Sequence, residues 1–178
     1  MFYVEDNNFL TQQQMEFINN IFVDKQMPFY YQQDSVKGDN VSFLAHIIKD
    51  RPEFSKDKTN VNSPIYYPPF RDILISFCKK NKIMFNEILR IAVNITYNNG
   101  AETCPIHNDH DYPHKQLLLY LNNPLDKQSK TVVLDEDKKT ILKEIIPERF
   151  KGICFDNKPH YHHYPKMGER IVAVYTFR

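Results

Sequence analysis

The chain has 178 residues, room for one domain with a sizeable core and too few for two independent ones. Charged residues make up 25% and AVILMFWYC residues 42%, ordinary globular usage that argues against a disordered chain or a fibre. Lys and Arg total 23 against 22 Asp and Glu, so a net charge of +1 gives no global basic field for nucleic acid or membrane.

No apolar stretch approaches the ~20 residues that span a bilayer. The opening MFYVEDNN lacks a basic segment followed by an apolar one, so no secretory signal is expected and the expected location is cytoplasmic. Three cysteines, Cys78, Cys104 and Cys154, are an odd number without CxxC spacing, which argues against a disulfide scaffold or a cysteine-built zinc site.

Residues 1–89 read as helical and irregular. Thr11 followed by Gln14 fits a capping box, and Met15, Ile18, Ile21 and Phe22 recur at helical spacing, which predicts a helix from about Thr11 to Asp24. Residues 25–63 are polar, including Lys37-Gly38-Asp39-Asn40 and the run SKDKTNVNS. They read mostly as loop, with a short helix at Val41–Lys49. Three prolines keep SPIYYPPF out of regular helix. Pro69 then suits a first helical position, and Phe70, Ile73, Leu74, Phe77 and Cys78 form the stripe of a second helix. Lys79, Lys80 and Lys82 place cations against the C-terminal end of its dipole.

From Arg90 the period changes to two. Ile91, Val93 and Ile95 alternate with Ala92, Asn94 and Thr96, and Leu117, Leu119 and Leu121 alternate with Leu118, Tyr120 and Asn122. TVVL, GICF and IVAVYTF are further strands rich in β-branched or aromatic residues, whereas DEDKK reads as a solvated turn. Short strands after two helices suggest an α+β single domain over 1–178, a β sandwich or barrel with helices packed outside.

Six of the seven histidines lie in two clusters, PIHNDHDYPH and KPHYHHYP. On an extended segment His107 and Asp109 face the same way, roughly 6–7 Å apart, so both can reach one ion. A third ligand from a neighbouring strand, His160, completes the two-His, one-carboxylate facial set of non-haem iron(II) oxygenases. His162 and His163 compete with His160 for that place, and Asp111 is the weaker rival of Asp109. His110 and His114 read as exposed or substrate-facing loop residues. Arg170 opens a strand whose alternate side chains, Val172 and Val174, face the core. A guanidinium entering a core must be paired, either with a surface acid such as Glu169 or Asp156 or with a ligand carboxylate that fits its planar fork.

Together these parts resemble the iron(II)- and 2-oxoglutarate-dependent dioxygenases, in their prolyl 4-hydroxylase-like branch. The resemblance covers about Arg90 to Arg178: a strand ending in Tyr97 ten residues before His107, His107-x-Asp109, Leu119-Tyr120-Leu121-Asn122, Thr131–Leu134, Gly152–Asp156, His160 ten residues before Arg170, and the final strand. Asn123–Lys127 stands where the family carries Gly-Gly. The resemblance implies a double-stranded β-helix (jelly-roll) core over 90–178 and iron held by His107, Asp109 and His160. It further implies 2-oxoglutarate held by Arg170 with Tyr120 and Tyr97, O2 as co-substrate and ascorbate as reductant. The expected reaction is decarboxylation of 2-oxoglutarate to succinate, coupled to hydroxylation of a peptidyl or small-molecule substrate. Two rivals stand beside it. One is a silent jelly-roll module with a structural zinc on His160, His162 and His107 or His110. The other is a cupin-like enzyme using His160 and His162. Nucleic acid is not expected as substrate, and the sequence does not assign oligomeric state.

Overall fold

The computed structural model describes residues 1–23, 26–35, 38–54 and 60–178. The expected helix end at Asp24, Lys37 of the expected loop and much of the SKDKTNVNS run lie outside the described residues. Among the described residues the elements follow the order β1 (Tyr3–Asp6), α1 (Gln12–Val23), β2 (Tyr30–Gln32), β3 (Phe43–Lys49), α2 (Tyr67–Lys80), β4 (Ile88–Tyr97), β5 (Lys115–Tyr120), β6 (Thr131–Leu134), β7 (Ile141–Ile145), β8 (Gly152–Asp156), β9 (His160–His162) and β10 (Glu169–Phe177).

The capping box closes both ways at α1. The Gln14 backbone N–H donates to Thr11 Oγ1 at 3.2 Å, and the Thr11 N–H donates to Gln14 Oε1 at 3.0 Å. Helix α2 starts at Tyr67, ahead of the expected Pro69, because Pro68 and Pro69 are both tolerated in a first turn whose N–H groups need no helical acceptor.

Residues 1–89 depart from their helical and irregular reading by supplying three strands. Val41–Lys49 is not a helix: Phe43–Lys49 is β3, paired antiparallel with β4 from Leu44↔Ile95 to Lys49↔Ile91. FLAHIIK suits helix or strand locally, and pairing with β4 decides it. Strand β7, with β6 as partner, extends the region after the DEDKK turn.

All pairings are antiparallel, in a seven-stranded sheet β1-β8-β5-β10-β4-β3-β2 and a three-stranded sheet β7-β6-β9. This arrangement is consistent with a jelly roll. Strand alternation gives the large sheet two unlike faces. One carries Ile91, Val93, Leu117, Leu119, Ile171 and Ala173, which join Ile18 and Ile21 of α1 and Phe70, Ile73 and Phe77 of α2 in one buried cluster. The other joins Leu118, Tyr120, Phe155, Val172 and Val174 to Val133 and Ile145 of the small sheet. At β8 a Cβ on Gly152 would lie 2.8 Å from Phe9 Cε1 and 2.9 Å from Phe77 Cε2, so only glycine admits both rings. No helix among the described residues is long and apolar enough to cross a membrane.

Candidate metal centre and cavity

Register brings the two histidine clusters together. His107 and His160 form an antiparallel bridge, each backbone N–H donating to the other's carbonyl at 3.0–3.1 Å. Cross-strand partners share a face, and the two imidazole centroids stand 4.5 Å apart. Asp109 lies in the bend just beyond and sets Oδ2 3.7 Å from His160 Nε2.

The histidine tautomers follow from their other nitrogens. His107 Nδ1–H donates to the Pro105 carbonyl at 2.8 Å and His160 Nδ1–H to the Lys158 carbonyl at 3.0 Å. A proton on Nδ1 leaves a lone pair on each Nε2, the form in which imidazole binds a metal. Burial pushes His160 down to about 4, helped by His107 and opposed by Asp109, so it stays neutral at neutral pH.

Asp109 has a 6% exposed side chain, and burial alone raises its carboxyl. The charges of His160, Arg90, His107 and Arg51 overcome this and hold it well below the usual carboxylate range. Because His160 is neutral near pH 7, the fixed guanidiniums carry that effect. Arg51 Nη2 and Arg90 Nη1 both reach Asp109 Oδ1, at 3.3 and 3.5 Å, which leaves Oδ2 facing His160. Among the described residues, no group of three or more His, Cys, Asp or Glu is placed so that it could hold a metal ion as it stands. His160 borders both His107 and Asp109, while the arginines hold the carboxylate.

These groups open on a cavity of about 450 Å³ whose wall also includes Arg170, Thr131 and His162. Arg170 is 4% exposed. Its Nη2 donates to Thr131 Oγ1 at 2.7 Å, its Nε is buried without an acceptor, and its Cζ lies 5.4 Å from the Tyr120 ring centroid. None of the ion pairs among the described residues involves it. The surface-acid alternative is not realised: Glu169 is exposed, and Asp156 accepts from the Phe2 backbone N–H at 2.9 Å. Tyr120, fully buried, donates its hydroxyl to the same Thr131 Oγ1 at 2.7 Å.

Tyr97 is not brought to this wall. The register pairs Arg170 with Thr96 and Tyr97 with Glu169, so alternation puts Tyr97 on the opposite face from Arg170. Its hydroxyl lies 3.3 Å from Ser42 Oγ. His110 and His114 lie in the loop before β5 as read, but they are buried rather than exposed. His110 Nε2 meets Thr176 Oγ1 at 2.8 Å and its Nδ1 lies 3.4 Å from Glu53 Oε1, so both ring nitrogens are already engaged with partners other than the zinc of the rival reading. Arg51, Arg90, Thr131 and Cys104 were not singled out as site residues in the sequence. Arg90 shares its parity with Asn94 and Thr96 on β4, the one signal that could have placed it.

No family model matches the chain, and no curated protein matches it. Solved structures do. A 2OG-Fe(II) oxygenase family oxidoreductase from Burkholderia pseudomallei matches with a TM-score of 0.77 at 14% identity, over 98% of this chain and 84% of its own. A prolyl hydroxylase from Trichoplax adhaerens, in complex with a hypoxia inducible factor peptide fragment, has a TM-score of 0.62 at 18% identity, covering 98% and 82%. A viral collagen prolyl hydroxylase from Paramecium Bursaria Chlorella virus-1, in a 2OG complex, has a TM-score of 0.61 at 15% identity, covering 100% and 96%. The chain thus has the fold shared by the 2OG-Fe(II) oxygenases and prolyl hydroxylases.

Proposed function

We propose that the protein is an iron(II)- and 2-oxoglutarate-dependent oxygenase, with His107, Asp109 and His160 as metal ligands and Arg170 as the anchor of the 2-oxo acid. One observation carries this reading. A single cavity has two Nε2 lone pairs and an ionised carboxylate on its wall, and on the same wall a buried guanidinium with no acid of its own. Two imidazoles and a carboxylate are donor types that suit a divalent iron keeping open positions, and a guanidinium whose Nε has no acceptor suits a carboxylate.

When bound, iron(II) and 2-oxoglutarate supply oxidative decarboxylation to succinate and CO2 coupled to oxidation of a C–H bond by O2. The chain's own residues hold and screen that chemistry. Pro105 and Lys158 carbonyls fix the two imidazoles, and Arg51 and Arg90 orient Asp109 by occupying Oδ1. Thr131, with its oxygen taken by Tyr120 and Arg170, keeps its own hydroxyl proton to donate into the cavity. Leu118, Val172 and Val174 make that part of the wall apolar and exclude water.

The fold neighbour bound to a peptide supports a peptidyl substrate, including a prolyl residue, with a small molecule as the other class. Purified protein with iron(II), 2-oxoglutarate and ascorbate should release succinate. His107→Ala and Asp109→Ala should each abolish that release and metal uptake together. Turnover persisting in either variant would reject the assignment.

A further inference from the structure

Arg170 and the proposed ligands leave one part of the cavity wall without a role. Cys104 lies on the segment that pairs with β9, its backbone N–H donating to the His162 carbonyl at 3.0 Å. Its sulfur stands 3.1 Å from His162 Nδ1 and accepts from the His162 backbone N–H at 3.2 Å. Cys104 is 2% exposed, and burial pushes its thiol up to about 11 against the pull of the His162 N–H and Arg170. The sulfur therefore keeps its proton at neutral pH. At 3.1 Å that proton is within reach of Nδ1, while a sulfur lone pair takes the backbone N–H, and we assign the thiol as donor to Nδ1. An accepting Nδ1 places the ring proton on Nε2.

That Nε2 is closed to solvent and has no partner, the same condition as Arg170 Nε. Both residues belong to the cavity wall. Thr131 links them: it stands opposite His162 in the β6–β9 register and accepts from Arg170 Nη2. His162 also shares the cavity face of β9 with His160, one alternation beyond it along the strand.

We propose that His162, through Nε2–H, is a second donor beside Arg170 to the distal carboxylate of 2-oxoglutarate, and that Cys104 is the positioning residue that sets its tautomer. The inference rests on the 2-oxoglutarate reading given above. Two buried N–H donors without acceptors are each unfavourable, and one carboxylate can accept from both. A neutral imidazole suits this place, since Arg170 already supplies the charge and a second cation beside it would be repelled.

The test is calorimetric titration of 2-oxoglutarate into manganese(II)-loaded protein. Manganese uptake, melting temperature and a proton–nitrogen correlation spectrum of the metal-free protein accompany it. His162→Leu should weaken 2-oxoglutarate roughly ten-fold or more with manganese uptake unchanged. His162→Gln, which can place an N–H near the lost Nε2, should recover most of the affinity. Binding of 2-oxobutyrate, which lacks the distal carboxylate, should be the same in wild type and His162→Leu. Cys104→Ala should show a smaller loss that Cys104→Ser, still a donor to Nδ1, does not. The spectrum should show His162 protonated at Nε2. Unchanged 2-oxoglutarate affinity in a folded His162→Leu, an Nδ1–H tautomer, or loss of manganese with His162 would each overturn the proposal. Failure of the underlying functional reading looks different, because wild type itself would then take up no 2-oxoglutarate.

Discussion

The same three strands, β4, β5 and β10, present a hydrocarbon face to the helices and a polar face to the cavity. On the helix side Ile91, Val93, Leu117, Leu119, Ile171 and Ala173 are satisfied by packing alone. On the cavity side Arg90, Asn94, Gln116 and Arg170 are polar, and Asn94 Oδ1, Gln116 Oε1 and Arg170 Nε are buried without partners. Unpaired buried polar atoms oppose folding. On these three strands such atoms number three on the cavity face against one, the Tyr175 hydroxyl, on the helix face, which fits a cavity shaped for something the chain does not itself supply beside a face that supplies the stability to tolerate it. Substitutions on the two faces should therefore be read by different measurements.

The largest effect is expected on the helix face. Phe77 is fully buried and meets Phe9 edge-on, with ring centroids 4.9 Å apart. Phe77→Ala should lower unfolding free energy by about 3–5 kcal/mol, measured by urea or thermal unfolding. Metal affinity of the folded fraction should not move. A parallel loss of metal affinity would mean that the two faces are not separable.

A smaller effect belongs to the cavity face. Arg90 is 11% exposed and shares Asp109 Oδ1 with Arg51. Burial lowers it to about 10, Arg51 adding to this and Asp109 and Asp50 opposing, so it remains a cation at neutral pH. Arg90→Gln removes one of the two holds on the carboxylate and should weaken iron(II) binding ~10–100-fold, with little change in melting temperature. A large stability loss with unchanged metal affinity would make Arg90 a structural residue and blur the contrast.

How much of this was legible follows from the same alternation. The strands of the C-terminal half were readable because period two runs long there, and Arg170, Val172 and Val174 share one parity on β10. β1 and β2 were not, because YVED and YYQ are too short to show a period. β3 carried an apolar run that fits helix or strand until β4 pairs with it. Tyr97 shows the limit at the site: counting residues from His107 says nothing of register, and register gives the cavity face to Thr96. Arg51 follows β3 outside any strand, so no sequence periodicity could have brought it to Asp109.

The smallest effect tests a polar edge of the helix side. The Asp6 carboxylate, at the end of β1, accepts from the Asn8 backbone N–H at 2.8 Å and from Lys80 Nζ and Asn81 Nδ2 at 3.1 Å, tying the edge strand to the end of α2. Burial raises this carboxyl, but the bonds from Asn8, Lys80 and Asn81 outweigh it and hold it below its ordinary value. A carboxyl depressed in the folded state stabilises above its unfolded value, near 4, and loses that contribution as pH falls through the folded value. Lys80 is 43% exposed, so solvent screens the pair, and Asp6→Asn should cost only about 1 kcal/mol at neutral pH. The gap between wild type and variant in urea midpoint should close on acidification below about pH 4, since every other acid titrates in both proteins. A gap that stays constant would assign the loss to the shape of the turn rather than to the ionised carboxylate.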